Sequence, residues 1–255
     1  MHSSVVLYSG GIDSFILLDY VRKCIDPNTQ PVYFNIGAKY SELEIGFIKK
    51  FEPSCIIDES LSLGDLETES AFIPNRNIIL TTLAIARYSK QIYIGGSKSD
   101  RISDNNKECF DVLSNFLTKI DGVNVVNITS PFWDIYKEDM LRWWVNSNRG
   151  NETDIITDTF SCYTPLSESQ TVGIKYEVGT GGVGELDTNQ CLKCPACFRK
   201  NVVLSYLRYY IPFYNDDIVN KYKIEFESKS NLDPTDLRLN NTLHYIDALK
   251  GGIFD

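Results

Sequence analysis

Four apolar residues, Val5-Val6-Leu7-Tyr8, run into Ser9-Gly10-Gly11-Ile12-Asp13-Ser14 and then into the helix-like stretch Phe15-Ile16-Leu17-Leu18-Asp19-Tyr20. A strand that turns through two glycines into a helix commits the chain to an α/β layout almost from its first residue. The glycines bring bare backbone N–H groups close to an anion, the serines add hydroxyl donors, and the helix N-terminus adds a favourable dipole. Ser9, Gly10, Gly11, Ile12 and Ser14 are therefore candidate phosphate donors. The loop itself follows neither GxxxxGK[ST] nor GxGxxG, the two commonest nucleotide loops. The plainer alternative is a strand-to-helix turn with Asp13 or Ser14 as its cap.

The same alternation continues. Strands are expected at Val5–Tyr8, Pro31–Asn35, Ser54–Ile57, Gln91–Ile94 and Val123–Val126. Helices are expected at Ser14–Cys24, Tyr40–Lys50, Asn77–Lys90 and Lys107–Ile120, with Ile79, Leu83 and Ala86 on one face of the third. Right-handed βαβ units then build a doubly wound parallel sheet covered on both sides, with ligands beyond the carboxyl ends of its strands. Further helices are expected at Lys137–Asn146 and Ala196–Tyr209. Between them the pattern breaks into a cysteine-rich stretch with the glycine run 179–184, either a mobile lid or a plain flexible loop. Asp233-Pro234 marks a turn or helix start in a polar tail. The expected division is a nucleotide-binding domain over 1–150, a metal-binding segment and helix over 151–210, and a tail over 211–255.

Composition narrows the function. A formal charge of −9 opposes general nucleic-acid binding, which needs a basic surface. No apolar run reaches the ~18 residues of a membrane span, and strand one occupies the place of a signal peptide, so a cytoplasmic protein is expected. Seven cysteines point to reduced thiols or metal ligands rather than disulfides. Cys191, Cys194 and Cys197 are spaced to present three sulfurs from one tight turn, with Cys162 as a fourth. Four sulfurs suit one structural Zn2+ per chain. An iron–sulfur cluster and unrelated buried thiols are the alternatives. The only histidines, His2 and His244, lie far from the cluster in sequence.

The string Ser9–Ser14 resembles the pyrophosphate loop of the N-type ATP pyrophosphatases, whose fold is adenine nucleotide alpha-hydrolase-like. The motif order over residues 1–205 further resembles the 7-cyano-7-deazaguanine synthase family. Its F-D-Y-G-Q-R and E-L segments are echoed by Phe34-Asn35-Ile36-Gly37-Ala38-Lys39 and Glu42-Leu43, and V-P-x-R-N by Ile73-Pro74-Asn75-Arg76-Asn77. Lys-Ala-Glu corresponds to Lys137-Glu138-Asp139, and S-C-Y to Ser161-Cys162-Tyr163 ahead of the Cys191, Cys194, Cys197 set. One segment departs: where the family carries D-x-S-G-Y-P-D-C-R after strand four, Gly95–Cys109 keeps a matching Asp100, but over 101–109 the Tyr-Pro-Asp-Cys-Arg string is gone and the segment is one residue shorter.

The resemblance implies a ligase that adenylates 7-carboxy-7-deazaguanine with ATP, forms an amide with ammonia, and uses a second ATP to reach the nitrile. It implies that Asp13 orients the loop or helps hold Mg2+, that Gly37 lets backbone approach adenine, and that Lys137 meets the phosphates from the opposite side. Arg76 would hold an anionic substrate or phosphate, and Asp100 would contact the ligand. Each has a plainer alternative: a solvated lysine, a surface ion pair, a turn or cap. The family also implies a homodimer, with Trp133, Trp143, Trp144, Tyr206, Tyr209 and Tyr210 as interface or core. Two rivals remain open at this point: a paralogue that passes the adenylated acid to a protein or nucleic-acid amine, and a non-catalytic nucleotide-binding subunit.

Overall fold

Val5 and Val6 are fully buried with a strand on either side, an environment that suits β-branched residues. In the computed structural model, which describes residues 1–69, 71–100, 104–147, 154–164, 172–178, 182–188, 190–230 and 235–251, they belong to β1 (Val5–Leu7). With β2 (Gln30–Phe34), β3 (Ile56–Asp58), β4 (Gln91–Tyr93) and β5 (Asn127–Thr129) it forms an all-parallel sheet in the order β3-β2-β1-β4-β5. Val5 pairs with Gln30 on one side and Ile92 on the other. Helices α1 (Ile12–Cys24), α2 (Ser41–Phe51), α3 (Arg76–Arg87) and α4 (Lys107–Asp121) alternate with the strands, as a doubly wound α/β fold requires. The chain leaves β1 for β2 on one side and later returns to β4 on the other. The crevice beyond the carboxyl ends of β1 and β4 is therefore the topological switch point.

Two expectations are corrected. The fifth strand is Asn127–Thr129 rather than Val123–Val126. Gly122 ends α4 in the left-handed region, and the turn that follows leaves Val123 and Val125 exposed before Val126 enters the core. The core face of α3 is Thr81, Ala84 and Ile85, not Ile79, Leu83 and Ala86. Apolar residues surround this helix, so periodicity did not single out a face. Thr81 is tolerated inside because its hydroxyl donates to Asn77 O at 2.7 Å.

The chain divides into two compact units, Met1–Lys137 and Glu138–Asp255. The second begins within α5 (Lys137–Asn146) and holds a short helix α6 (Asp154–Thr157), the antiparallel pair β6 (Val172–Val178) and β7 (Gly182–Thr188), and α7 (Pro195–Ser205). β8 (Tyr209–Tyr210), α8 (Asp216–Ser230) and α9 (Leu237–Lys250) follow. The expected helix to Tyr209 stops at Ser205: Arg208 takes a positive φ of 64°, and Tyr209–Tyr210 pairs with β6. Gly182–Gly184 of the glycine run are strand residues, whereas 179–181, Arg101–Ser103 and Asp233-Pro234 lie outside the described residues. Phe198 centres the core of this unit, stacked on Tyr222 and edge-on to Phe213 and Tyr245. Among the described residues no helix is long and apolar enough to cross a membrane.

The loop after β4 is stitched to the segment after β5. Ser130 Oγ donates to Gly96 O at 2.6 Å, Lys98 N to Ile135 O at 3.0 Å, and Lys137 N to Ser99 Oγ at 3.1 Å. The Trp133 ring fills the space above Gly96, where a Cβ would fall 2.0 Å from its Cζ3. Gly96→Ala is expected to cost ~1–3 kcal/mol, measured by urea unfolding, because an indole held in a packed site does not yield easily. Trp133→Leu in the same chain is expected to recover part of that loss, and full additivity of the two changes would contradict the packing account.

Candidate active site and metal centre

Gly10 sits at φ +73°, a conformation that glycine adopts without strain, and it turns the chain sharply after β1. Gly11 is the N-cap of α1 and provides no side-chain cap, so the first turn at Ile12, Asp13 and Ser14 keeps N–H groups without intrahelical partners. Ser14 Oγ donates to Gly11 O at 3.1 Å and accepts from Ser9 N–H at 3.2 Å, with Ser9 Oγ 3.3 Å away. The loop is a small closed frame with hydroxyls and backbone donors together at a helix N-terminus. Phe47 and Ile48 of α2 lie 3.5 Å from where a Gly10 Cβ would stand.

Asp13 does not face this loop alone. Lys137, the first residue of α5, places Nζ 2.7 Å from Asp13 Oδ2 and 3.0 Å from Asp100 Oδ1. Burial by itself would lower the Lys137 pKa, yet the charges of Asp13 and Asp100 outweigh it and raise the value. The three residues come from the β1 loop, the β4 loop and the segment after β5, which converge at the switch point. Gly95 allows the approach, since a Cβ there would lie 3.2 Å from Asp13 Cβ. Asp100 also makes a turn: its Oδ2 accepts from Ser97 N–H at 2.9 Å and from Asn105 Nδ2 at 3.3 Å.

Arg76 lies in a different set of contacts. It opens α3, donates to Tyr40 Oη at 3.3 Å, and its charge acts on Glu44, which accepts from Tyr33 Oη–H at 2.6 Å. Glu44 is one helical turn, about 5 Å, from Ile48 against the loop. Gly37 has φ +71°, its N–H donates to Asn35 Oδ1 at 3.1 Å, and Gly64 packs onto its carbonyl. Sequence reasoning overlooked Tyr33, Tyr40 and Glu44, although Glu44 directly follows the Glu42-Leu43 echo. It also overlooked Asp104, which accepts from Asn77 N–H and Nδ2 at 3.1 Å each. The sequence signal for Asp104 was a carboxylate inside the one departing segment.

In the second unit the four sulfurs of Cys162, Cys191, Cys194 and Cys197 lie within 4.8 Å of one another. Metal–sulfur bonds of ~2.3 Å in a tetrahedron put ligand sulfurs about 3.8 Å apart, so the cage has room for a single ion. Backbone donors already point inward: Cys191 N–H to Cys162 Sγ at 3.3 Å, Lys193 N–H to Cys191 Sγ at 3.4 Å, and Cys197 N–H to Cys194 Sγ at 3.5 Å. Cys194 caps α7, so this helix N-terminus faces the sulfur charge. Hydrogen bonding from Cys162 lowers the Cys191 thiol to about 7.

These features define a PP-loop α/β protein with a four-cysteine cluster that could hold a metal ion. The family model described as Queuosine biosynthesis protein QueC matches residues 27–206, and the chain belongs to that family. The match takes in Arg76, Asp100, Lys137 and all four cage cysteines, and it begins after the loop at Ser9–Ser14. A curated relative, 7-cyano-7-deazaguanine synthase of Methanocaldococcus jannaschii, is 22% identical over 233 residues, covering 77% of this chain and 92% of its own length. The 7-cyano-7-deazaguanine synthase of a Marinomonas species is 26% identical over 228 residues, covering 77% and 90%.

Burial raises Glu44 from 4.5 to about 7, with the Tyr33 hydrogen bond and the Arg76 charge opposing. A carboxyl whose folded pKa lies above its unfolded value stabilises the fold below the unfolded pKa. That contribution disappears as pH rises through the folded one, here between 4.5 and about 7. Glu44→Gln is therefore expected to match the parent in thermal unfolding at pH 4.5 and to melt a few degrees higher at pH 8. Equal melting at pH 8 would contradict the assignment. Zinc added to chelator-treated protein is expected to raise its thermal stability, and renewed chelation to reverse the gain.

Proposed function

We propose that the chain activates 7-carboxy-7-deazaguanine with ATP and transfers it to ammonia, ending at 7-cyano-7-deazaguanine. The observation that carries this reading is the convergence of the uncapped α1 N-terminus with Asp13, Lys137 and Asp100 at the switch point. The relatives are 7-cyano-7-deazaguanine synthases, which supports the deazaguanine nitrile as product.

A carboxylate resists attack by ammonia because its oxygen is a poor leaving group. In the proposed path the acid oxygen attacks the α-phosphorus of ATP, pyrophosphate departs, and the mixed anhydride carries AMP as a good leaving group. Ammonia then adds at the carbonyl, AMP leaves and a proton is lost, giving the amide. The amide oxygen then attacks the α-phosphorus of a second ATP, pyrophosphate departs with loss of one N–H proton, and AMP leaves with that oxygen as the second N–H proton is lost, giving the nitrile. The residues needed are those that align groups and neutralise charge, with no nucleophilic triad. Ser9, Gly10, Gly11, Ile12 and Ser14 bind the departing pyrophosphate, and Gly37 lines the adenine. Lys137, held by Asp100, presents its ammonium to the phosphates. Arg76 supplies a bidentate fork for an anionic group. Asp13 is placed to hold the Mg2+ that accompanies ATP, an ion that supplies further charge neutralisation. The four cysteines hold one structural Zn2+ in this reading, closed to water.

A homodimer is part of the proposal, and α4 is the face that suits it. Val112, Phe116 and Ile120 are exposed at 65, 57 and 65% and repeat every four residues, a ridge that packs into its own copy. Trp144, Tyr209 and Tyr210 are buried and serve the core instead. Phe116→Lys is expected to convert the dimer to a monomer by light scattering, and an unchanged mass would remove α4 from consideration.

The second reading is transfer to a protein or nucleic-acid amine, favoured by the departing segment 100–109. Incubation with ATP, 7-carboxy-7-deazaguanine and ammonium separates the readings by product mass. AMP with nitrile is expected. AMP formed only when a partner macromolecule is added would support the conjugating paralogue, and nucleotide binding without turnover would support a silent subunit. Asp13→Ala is expected to lower turnover by about 100-fold or more while the fold is kept.

A further inference from the structure

The departing segment holds two carboxylates whose oxygens are occupied by the protein itself. Asp100 Oδ1 lies 3.0 Å from Lys137 Nζ, while its Oδ2 accepts from Ser97 N–H at 2.9 Å, from Ser97 Oγ at 3.3 Å and from Asn105 Nδ2 at 3.3 Å. Asp104, only 6% exposed, accepts from Asn77 N–H through Oδ2 and from Asn77 Nδ2 through Oδ1, each at 3.1 Å. Asn77 is the second residue of α3, directly after Arg76. That helix lacks a cap of its own, because Asn75 stands at φ +55° without a side-chain bond to the first turn. A carboxylate at a helix N-terminus meets both the dipole and the unsatisfied donors, so Asp104 is the cap that Asn75 does not provide.

Each carboxylate therefore fixes a cation, or the start of the helix that carries one. Asp100 holds the Lys137 ammonium, and Asp104 holds the turn from which Arg76 extends. They stand four positions apart in sequence, so their Cα atoms are at most about 14 Å apart. We propose that Asp100 and Asp104 are positioning residues that set the separation of Lys137 and Arg76, and so the anionic substrate that fits between them. This rests on the adenylation reading for the identity of that substrate and for its seat between the two cations, and on geometry for the two anchors, Asp100 on Lys137 and Asp104 on the start of α3. It assigns Asp100 to lysine placement rather than to ligand contact. It also explains how the segment serves the site without the family's substrate string: its carboxylates are turned inward onto Ser97, Asn105, Asn77 and Lys137.

The chemistry separates the two roles. Lys137 faces charge that develops in the transition state, so loosening it lowers kcat. Arg76 faces an anion already present in the ground state, so loosening it raises KM. Asp100→Asn is expected to lower kcat about 10-fold or more with KM for the acid within about 2-fold, and Asp104→Asn to raise KM about 5-fold or more with kcat little changed. A purely structural role would move both parameters together with the melting temperature.

A second readout needs no turnover. Labelling of Lys137 by an amine-reactive reagent, followed by peptide mass spectrometry across pH 8–11, reports how firmly the ammonium is held. Asp100→Asn is expected to increase that labelling several-fold and shift its pH profile downward, while Asp104→Asn leaves it unchanged. Asn105→Ala, which removes one donor to Asp100 and keeps both charges, is expected to fall between and serves if Asp100→Asn does not fold. Unchanged Lys137 labelling in both Asp100→Asn and Asn105→Ala would overturn the bracket. A parent enzyme that labels as expected yet forms no AMP would instead overturn the adenylation reading and leave the bracket standing.

Discussion

One ammonium held between two carboxylates organises the site. Asp13, Asp100 and Lys137 come from three separate connections of the sheet, and without the lysine the two acids would repel one another at the crevice. With it, the β1 loop, the β4 loop and the start of α5 are drawn to one point. The backbone serves the same end, since Ser130, Ile135 and Lys137 each bond across to the β4 loop. The order β3-β2-β1-β4-β5 makes this meeting possible by placing β1 and β4 side by side while their connections diverge.

Sequence made the architecture legible where local chemistry is strong. The glycine–serine turn between an apolar run and a helix placed β1 and α1, and the alternation that follows placed the parallel sheet. The Cys-x-x spacing with one upstream cysteine located the cage whose sulfurs the fold brings within 4.8 Å. What could not be read depends on contacts between residues distant in sequence. Lys137 and Asp13 are 124 residues apart, and no periodicity links them, although both were candidates separately. The capping of α3 by Asp104 was hidden for the same reason. The wrong face of α3 and the early fifth strand have a different cause: apolar residues outnumber the positions that the core can take, and Val123 and Val125 remained outside.

The second unit shows how a cage substitutes for regular packing. Residues 160–200 have few apolar repeats, yet Cys162 and the turn at Cys191–Cys197 gather backbone donors around four sulfurs. Beside them Phe198 assembles an aromatic cluster with Tyr222, Phe213 and Tyr245. Lys200 is buried among carbonyls, donating to Ile156 O and Thr159 O, and burial pushes its pKa down to about 7. The sulfur cluster, the stacked rings and the buried lysine thus lie together in the described part of this unit.

The central claim is that a carboxylic acid is activated at the α-phosphorus of a nucleotide held by Ser9–Ser14. Its most direct test follows oxygen. The acid labelled with heavy oxygen in its carboxylate is incubated with ATP, magnesium, ammonium and the enzyme, and the nucleotide product is weighed by mass spectrometry. The account predicts AMP carrying one heavy oxygen from the acid. Label in inorganic phosphate beside ADP, or unlabelled AMP, would contradict it.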